Sequence, residues 1–430
     1  MDNPALILGL VFLLLIFLSV PVTYAMVLAA ATYLYFLSPG IPATVIPQKA
    51  IGIISESFTL LAIPLFLLAG SFMNASGMTA RLVAFAIALV GHIRGGLGHA
   101  VIVSNVVMSG MSGSATADAA GIGKIMIPAL KAAGFRAAAA AALNSSAATM
   151  GPIIPPSIAM VVYASLSGVS VGRLLLAGLV PGLIMALFLM IDLFFSKDSA
   201  GVARQPFNWR RLLVTARDAI LALILPAIIL GGMVAGIYTP TEGAAVAVAY
   251  AFVIGTVVYR TLTPTLIYQS LTESARATGA VLLVVATANA VSWILAAEGA
   301  GEMLKHLFLP FEASPGLTLL IIAGVVLLLG TAMEETTMLV LMTPVLVPVI
   351  AQAGIDPVHF GLVFVFATMI GLITPPVGIT MFISCQIAGV SVNDFTRAVW
   401  RPFLALLAAL VVVTLWPDLV LFLPNLIMGQ

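Results

Sequence analysis

The chain has 430 residues, of which 62% are hydrophobic and 8% are charged, whereas about 25% of the residues of an ordinary globular domain are charged. This composition excludes a water-soluble globular protein. Seventeen Lys and Arg residues nearly balance sixteen Asp and Glu residues, so nucleic acid is not an expected partner. The single cysteine, Cys385, and four scattered histidines predict neither a disulfide nor a zinc site.

The chain begins with an apolar stretch, residues 4–18, that has the length of a signal-peptide core. A signal peptide carries basic residues before that core, whereas Asp2 is the charged residue found there, and the apolar run continues to Leu37 with an interruption at Pro21. We therefore predict that the stretch stays in the membrane, as two short spans or one long kinked helix.

Apolar segments of about 20 residues, the length that crosses a bilayer, follow one another along almost the whole chain. The predicted fold class is therefore all-α, a polytopic integral membrane protein. The main polar interruption holds five of the seventeen basic residues, so the positive-inside rule places it in the cytoplasm. The predicted organisation is N-terminal scaffold helices at 1–60, a first repeat at 61–195, the cytoplasmic loop at 196–218, further scaffold helices at 219–277, a second repeat at 278–401 and a C-terminal helix at 402–430.

Two pairs of apolar stretches are too short to cross the bilayer singly. The first pair lies near 97–133 and is joined by a turn rich in Gly, Ser and Thr, and the second lies near 317–351. This pattern predicts two helical hairpins that enter and leave the membrane on one side. Interrupted segments at corresponding positions of two halves indicate the binding site of a transporter.

An internal repeat relates the two hairpin regions. A shift of 220 residues aligns Gly151-Pro152-Ile153-Ile154-Pro155-Pro156 with Gly371-Leu372-Ile373-Thr374-Pro375-Pro376, and Gly134 with Gly354. The alignment predicts a duplicated unit of roughly 100 residues. The sequence leaves open whether the two copies are inverted, although the basic central loop fits an inverted arrangement.

The paired prolines predict a break in a helix of each repeat, because proline lacks a backbone donor and its ring clashes with the preceding turn. The broken helices are predicted near 136–165 and 358–385. Their carbonyl groups at 148–151 and 368–371 are predicted to be free, which is costly at membrane depth unless protein, water or a cation satisfies them. Sodium prefers such oxygen ligands; the alternative interpretation is a packing kink.

Polar side chains at the hairpin turns and before the first break are the candidate site residues. Hydroxyl groups at the turns could ligate a cation, and half-helix N-termini could bind an anionic substrate; close helix packing is the alternative. The residues just before the first break could line the substrate path or simply pack helices. The candidate cation ligands are Ser112, Ser114, Thr116, Gly151, Thr336, Thr337, Gly371 and Thr374, and the candidate substrate residues are Asn144, Ser145, Ser146 and Thr149.

Asp118, Glu334 and Glu335 are the ionisable residues placed deepest in these apolar stretches. An ionisable residue within a membrane indicates function by default. These three could carry coupling charge, ligate a cation or hold a hairpin closed, unless the turns are exposed to water.

Signatures of enzymes are absent from the sequence. Gly121-Ile122-Gly123-Lys124 departs from a P-loop because Asp118 replaces its first glycine and Ile125 follows the lysine. No hydrolase or protease motif occurs either. We therefore predict that the protein is not an enzyme.

Taken together, the motifs resemble the large membrane subunit of tripartite ATP-independent periplasmic (TRAP) transporters, and the resemblance extends over essentially the whole chain. The residues that carry it are Ser112-Gly113-Ser114-Ala115-Thr116-Ala117-Asp118, Gly151-Pro152-Ile153-Ile154-Pro155-Pro156-Ser157, Gly371-Leu372-Ile373-Thr374-Pro375-Pro376-Val377-Gly378 and Ala62-Ile63-Pro64-Leu65-Phe66.

The resemblance implies a sodium-driven, elevator-type importer of small organic acids in the inner membrane of a bacterium or an archaeon. It implies two repeated hairpin and broken-helix units, a periplasmic binding protein that delivers the substrate, and a separate four-span membrane subunit. The first sodium site would use Ser112, Ser114 and backbone near Gly151, while Asp118 would stabilise the hairpin. The second would use Thr336, Thr337 and backbone near Gly371 and Thr374. Related chains often carry aspartate in the second turn, so the separate roles of Glu334 and Glu335 stay open.

Two rival functions remain at this point. A sodium-coupled dicarboxylate carrier or ion antiporter would share the two-hairpin architecture but would work without a binding protein. The other rival is a membrane enzyme or a purely structural assembly subunit, and the sequence displays no catalytic constellation that favours the enzyme. The organic acid itself is not identified by the sequence.

Overall fold

A computed structural model describes residues 4–18, 20–199, 205–299 and 314–429. Helices joined by short loops make up these residues, which contain no strand. Seven of the described helical segments are long and apolar enough to cross a membrane. The predicted all-α membrane fold is therefore confirmed.

The helices of the first half include long spans and short half-spans. They are α1 Pro4–Phe17, α2 Val22–Thr32, α3 Val45–Glu56, α4 Ala62–Ala75, α5 Met78–Val90, α6 Gly96–Ser112, α7 Ala115–Ala132, α8 Ala137–Ala148, α9 Ile158–Ser167 and α10 Val171–Phe195. Helices α6 and α7 form hairpin 1, and α8 and α9 are the two parts of broken helix 1.

The second half repeats this order. Its helices are α11 Trp209–Val234, α12 Pro240–Val253, α13 Pro264–Ala297, α14 Pro315–Gly330, α15 Glu335–Gln352, α16 Pro357–Gly371, α17 Ile379–Ala388, α18 Val392–Leu415 and α19 Pro417–Met428. Helices α14 and α15 form hairpin 2, and α16 and α17 are the two parts of broken helix 2.

The repeated unit is longer than the hairpin and broken helix alone. Helices α10 and α18 begin 221 residues apart, at Val171 and Val392. The same offset relates two short π-helices, Tyr33–Leu37 after α2 and Ile254–Val258 after α12. The duplication therefore reaches back into the helices that precede each hairpin, well beyond the unit of roughly 100 residues that the sequence predicts.

The two repeats are inverted with respect to each other. The guanidinium of Arg401, in the first half of α18, donates to the carboxylate of Asp192, near the end of α10, at 3.0 Å. Equivalent helices of the two repeats therefore run in opposite directions, as in other transporters built from inverted repeats. This settles the orientation that the sequence leaves open.

The hairpins consequently enter from opposite ends of the α10–α18 pair. At the base of hairpin 1, Arg136 forms a bidentate ion pair with Asp198, just after α10. At the base of hairpin 2, Gly316 lies against the side chain of Leu415, the last residue of α18. Each hairpin thus reaches the middle of the protein from its own side.

Basic residues mark one of these ends. Arg94 lies over the ring of Phe194, and Arg136, Arg397 and Arg401 surround a small cavity at the base of hairpin 1. The positive-inside rule assigns this end to the cytoplasm, so hairpin 1 enters from the cytoplasmic side and hairpin 2 from the opposite side.

Several helix bounds differ from the expected organisation. Helix α11 begins at Trp209, within the predicted loop 196–218, because Asn208 caps it by accepting from the Arg211 N–H. Helix α13 runs unbroken across the predicted boundary at 277, and the predicted C-terminal helix is divided at Pro417, which lacks a backbone donor. Residues 200–204 and 300–313 of the predicted loop and second repeat lie outside the described residues.

Arg136→Ala tests the surface ion pair at the base of hairpin 1. The Arg136 side chain is 72% exposed, so we expect unfolding to be easier by at most about 1 kcal/mol. The difference should shrink in high salt because screening weakens exposed pairs. Thermal unfolding of the purified variant and parent at two salt concentrations measures it, and a larger, salt-independent loss would contradict this account.

Candidate functional site

The tip of hairpin 1 is a tight turn rich in hydroxyl groups. Helix α6 ends at Gly113, which adopts a left-handed conformation with φ of 62°. Ser114 then caps α7 through its side chain, and its hydroxyl lies 3.0 Å from that of Thr116. Ser112 is buried, whereas Ser114 and Thr116 are half-buried. The tip therefore presents neutral oxygen atoms of the kind that alkali cations bind.

Asp118 is fully buried behind this tip. Its carboxylate accepts from the Ser112 hydroxyl at 2.5 Å and from the Ser109 hydroxyl at 3.5 Å. Because Asp118 lies in the first turn of α7, the free N–H groups of that helix terminus also favour its negative charge. The carboxylate thereby links the two helices of hairpin 1 across the turn.

Broken helix 1 packs directly against the hairpin 1 tip. Its two parts are interrupted between Ala148 and Ile158, where the Pro155–Pro156 bond is cis. A Cβ atom at Gly151 would lie 2.8 Å from the Asp118 carboxylate and 3.0 Å from the Ser114 carbonyl carbon. Glycine therefore permits an approach that any side chain would prevent.

The carbonyl groups beside the breaks are more fully bonded than the sequence suggests. The Ala148 and Met150 carbonyls accept from N–H groups three residues later, and all four carbonyls from Thr368 to Gly371 accept from backbone N–H groups as well. The prediction that such carbonyls are free is wrong for these six residues, because tight turns at helix ends satisfy them. A carbonyl oxygen still has a second lone pair for a cation.

The tip of hairpin 2 uses a carboxylate where the first tip uses a hydroxyl. Glu334 caps α15 by accepting from the N–H groups of Thr336 and Thr337 at 3.0 and 3.2 Å. It also accepts from the Thr336 hydroxyl at 3.0 Å. Ser114 holds the corresponding cap position 220 residues earlier. Glu334 is therefore engaged in holding the turn.

Glu335 has a different environment from its neighbour. Its Oε2 atom is buried and has no hydrogen-bond partner among the described residues. An uncompensated buried carboxylate is costly unless a proton or a cation neutralises it. The sequence gives no basis for distinguishing the two adjacent glutamates. In the structure their carboxylates differ in what they contact.

Broken helix 2 meets the hairpin 2 tip through two glycines. A Cβ atom at Gly371 would lie 2.5 Å from the carbonyl carbon of Gly330, the last residue of α14. The Val377 N–H donates to the Thr331 carbonyl at 3.0 Å, while the Thr374 hydroxyl, in the break, donates to the Ile370 carbonyl near the end of α16. The Pro375–Pro376 bond is also cis. Each tip therefore docks on its own broken helix through glycine.

A polar contact joins the two broken helices at their crossing. The Asn144 amide on α8 donates to the Ser384 hydroxyl on α17 and to the Ala119 carbonyl in hairpin 1, both at 3.0 Å. The Ser145 hydroxyl lies 3.0 Å from that of Thr380. Asn144 and Ser145 thus connect the first repeat to the second.

The other two candidate substrate residues lie in the same buried region. The Ser146 hydroxyl has no hydrogen-bond partner among the described residues, and the Thr149 hydroxyl donates to the Ser146 carbonyl at 2.6 Å. Ser384 and Thr380 are not among the site residues predicted from the sequence. Their spacing of four residues, which places them on one face of α17, was the signal available.

Ser384→Ala tests the expectation that the crossing of the broken helices lines the substrate path. The change removes one acceptor of the Asn144 amide but leaves the bond to Ala119, so we expect a loss of about 1 kcal/mol in stability. Reorientation of Asn144 should raise the apparent substrate KM by about tenfold. Uptake kinetics measure the effect, with Ser55→Ala on the exposed face of α3 as a surface control. An unchanged KM would remove Ser384 from the site.

A cavity of about 240 Å³ opens beside hairpin 1 rather than at the crossing of the broken helices. Ser112 and Ser114 line one side of it, and residues of α4 and α13 line the other. The four candidate substrate residues do not line it. The structure therefore brings the predicted residues together in three places, at the hairpin 1 tip beside the cavity, at the hairpin 2 tip and at the crossing of the broken helices.

Comparisons with known proteins agree with this architecture. The family profile described as "Tripartite ATP-independent periplasmic transporter, DctM component" matches residues 9–419. The sialic acid TRAP transporter large permease protein SiaM of Vibrio cholerae serotype O1 is 38% identical over 416 residues, covering 96% of this chain and 97% of that protein. The C4-dicarboxylate TRAP transporter large permease protein DctM of Pseudomonas aeruginosa is 38% identical over 372 residues, covering 86% and 87%.

A solved structure shares the fold at low sequence identity. The crystal structure of the Alcanivorax borkumensis YdaH transporter superposes with a TM-score of 0.60 at 14% identity, covering 86% of this chain and 87% of that one. The relatives are permeases, so this chain is a multi-pass transport protein rather than an enzyme. The resemblance seen in the motifs is confirmed, and the chain belongs to the DctM family of tripartite ATP-independent periplasmic transporters.

Proposed function

We propose that this chain couples inward sodium flow to the import of a small organic acid. The observation that carries the proposal is the pair of junctions at which an oxygen-rich hairpin tip docks on a glycine of a broken helix. The hairpin of one junction enters from the cytoplasmic side and that of the other enters from the opposite side, as expected for an inverted-repeat transporter.

The chemistry of both junctions suits sodium. Each offers hydroxyl and carbonyl oxygen atoms, which hard cations prefer. Each also holds a carboxylate that forms no ion pair with a described residue. Asp118 in the first junction is fully buried, and Glu335 in the second is half-buried, with its Oε2 atom buried. A bound cation would neutralise these charges, which favours sodium binding over a purely structural role.

The proposed ligands follow from this chemistry. Ser112, Ser114 and backbone near Gly151 would bind the first sodium ion, with Asp118 holding the turn. Thr336, Thr337 and backbone near Gly371 and Thr374 would bind the second. Glu334 caps the second hairpin, which leaves Glu335 to supply the charge there.

The substrate would bind between the two tips. Helix α7 begins there with the neutral cap Ser114, and a helix N-terminus attracts a carboxylate. The N-terminus of α15 is already capped by Glu334. The polar crossing formed by Asn144, Ser145, Thr380 and Ser384 supplies hydroxyl and amide groups. Relatives named for sialic acid and for C4-dicarboxylates are equally identical to this chain, so we propose a carboxylate and leave its identity to experiment.

The cavity beside hairpin 1 suggests an inward-facing conformation. Asn74, at the end of α4, lines it. Arg81, in the first turn of the next helix, α5, lies over the ring of Tyr259 at 3.6 Å. Basic residues indicate the cytoplasmic side. We propose that the hairpins and broken helices move together past α4 and α13, as in an elevator, and that this cavity releases sodium and substrate.

The tripartite family name also suggests the partners. We propose that a small four-span membrane subunit completes the complex in the bacterial inner membrane. A periplasmic binding protein would deliver the substrate.

Uptake into proteoliposomes tests this function. The chain is purified with its small subunit, an inward sodium gradient is imposed, and a panel of labelled organic acids is offered with and without the binding protein. We expect uptake that requires both sodium and the binding protein. Uptake without the binding protein would indicate a stand-alone carrier, and uptake that is indifferent to sodium would contradict the coupling.

A further inference from the structure

The cavity beside hairpin 1 has a second polar wall that the junctions described above do not include. This outer wall is formed by Ser71 and Asn74 on α4 and by Glu273 and Ser274 on α13. It faces Ser112 and Ser114 of the hairpin tip across a space of about 240 Å³. The outer wall belongs to the helices that would stay still while hairpin 1 moves.

Ser274 is a residue of the outer wall whose hydroxyl lacks a partner. It lines the cavity and is only 7% exposed, and its Oγ atom is buried without a hydrogen-bond partner among the described residues. A buried hydroxyl without a partner is destabilising, so rotation of this side chain toward a cation in the cavity would supply the missing interaction.

The charges around the cavity favour a cation over an anion. Glu273 is the charged residue among those that line it, and no lining residue is Lys or Arg. Asp118 adds a second carboxylate just behind Ser112, to which it is hydrogen-bonded. Two negative charges therefore flank the space between the tip and the outer wall, which attracts cations from the cytoplasm.

The donor set suits an alkali cation. One carboxylate, two or more hydroxyl groups and the Asn74 amide oxygen are hard ligands. Thr79 donates to that amide oxygen at 3.1 Å, which orients the Asn74 side chain. The described residues contain no group of three or more His, Cys, Asp or Glu side chains suited to a transition metal.

We propose that the outer wall is a transient sodium site through which the ion leaves the first junction on its way to the cytoplasm. Glu273 supplies the charge, and Ser274 and Asn74 supply neutral oxygen ligands. The site exists only while hairpin 1 faces the outer wall, so it acts on sodium release and not on sodium entry. This inference rests on the proposed sodium coupling.

Internal sodium provides the test, because sodium at the cytoplasmic side should occupy the outer wall and slow release. Proteoliposomes containing the complex are loaded with increasing sodium, and uptake of the best transported acid is measured at fixed external sodium. Binding protein added outside selects complexes whose periplasmic side faces outward. Internal potassium at equal concentration controls for ionic strength.

Glu273→Gln should raise the internal sodium concentration that halves uptake by about tenfold, because the attraction of one nearby charge is lost. The dependence of uptake on external sodium should be the same in Glu273→Gln as in the parent. Ser274→Ala should raise the same concentration by about threefold without lowering the unfolding temperature, because a buried hydroxyl without a partner is removed. Glu56→Gln, at the exposed end of α3, is the matched control and should behave as the parent.

Unchanged internal inhibition in both Glu273→Gln and Ser274→Ala would overturn the outer-wall site while leaving sodium coupling in place. An equal shift in the external and internal sodium dependence would also overturn it, since the effect would then lie in the junction itself. Absence of any sodium dependence in the parent would overturn the proposed function, and the outer-wall site with it.

Discussion

Gly371→Ala is expected to reduce sodium-driven uptake by on the order of 100-fold while the protein still reaches the membrane. The added Cβ would lie 2.5 Å from the Gly330 carbonyl carbon and 2.7 Å from its oxygen. Both are backbone atoms that cannot rotate away, so hairpin 2 must shift from broken helix 2. A displacement of about 1 Å at a functional contact costs about this much activity.

The effect on stability should be much smaller than the effect on transport. Overpacking of a close contact typically destabilises by about 1–3 kcal/mol, and the strain is confined to one junction. Uptake and thermal unfolding of the purified variant measure the two effects separately.

Gly324→Ala is the matched control for this prediction. Gly324 also lies in hairpin 2, on α14, but a Cβ atom there would meet nothing within 4 Å. Alanine is a better helix former than glycine by about 1 kcal/mol, so we expect normal uptake and equal or higher stability. Parent-like uptake by Gly371→Ala would show that the tip does not need to dock closely.

Asp118→Asn is expected to weaken sodium binding without lowering the stability of the protein. The variant keeps the shape of the side chain and can still accept from the Ser112 hydroxyl, but it carries no charge. A buried carboxylate without a basic partner is costly, so we expect the apo protein to unfold at an equal or higher temperature than the parent.

Sodium binding should suffer, because the charge that favours the cation has been removed. We expect the apparent sodium affinity to fall about 100-fold, equivalent to ~2.8 kcal/mol at 1.4 kcal/mol per decade. The sodium dependence of uptake measures the change. Asp394→Asn alters an exposed carboxylate at the start of α18 and should have no effect. A sodium dependence equal to the parent's would remove Asp118 from the ion site.

The helix breaks and the hairpin 1 tip could be predicted from the sequence because they depend on local chemistry. Proline breaks a helix wherever it occurs, so Pro155, Pro156, Pro375 and Pro376 indicate the interruptions without any knowledge of packing. A small-residue turn between two short apolar stretches likewise predicts the hairpin 1 tip. Repetition of these signals at one offset predicts a duplication.

Other features depend on contacts between distant residues. Ser384 lies 240 residues from Asn144, and nothing local marks the pair as neighbours. The scaffold part of the repeat keeps its helix order, including the two π-helices, but the sequence alignment that reveals the hairpins does not extend to it.

The separate roles of the two glutamates of hairpin 2 could not be predicted from the sequence. Which of Glu334 and Glu335 caps α15 depends on the residue at which the helix begins, and sequence patterns locate helix ends only to within one or two residues. The structure begins α15 at Glu335, so Glu334 becomes the cap and Glu335 is left with a buried carboxylate oxygen. A shift of one residue would exchange their roles.

Direct binding of radioactive sodium to the purified complex tests the central claim most closely, because it does not depend on the substrate or the binding protein. The account predicts saturable, cooperative binding of two ions per chain in the parent, with one ion lost in Asp118→Asn and the other in Gly371→Ala. Absence of saturable binding, or the same stoichiometry and affinity in all three proteins, would contradict the assignment of sodium to the hairpin junctions.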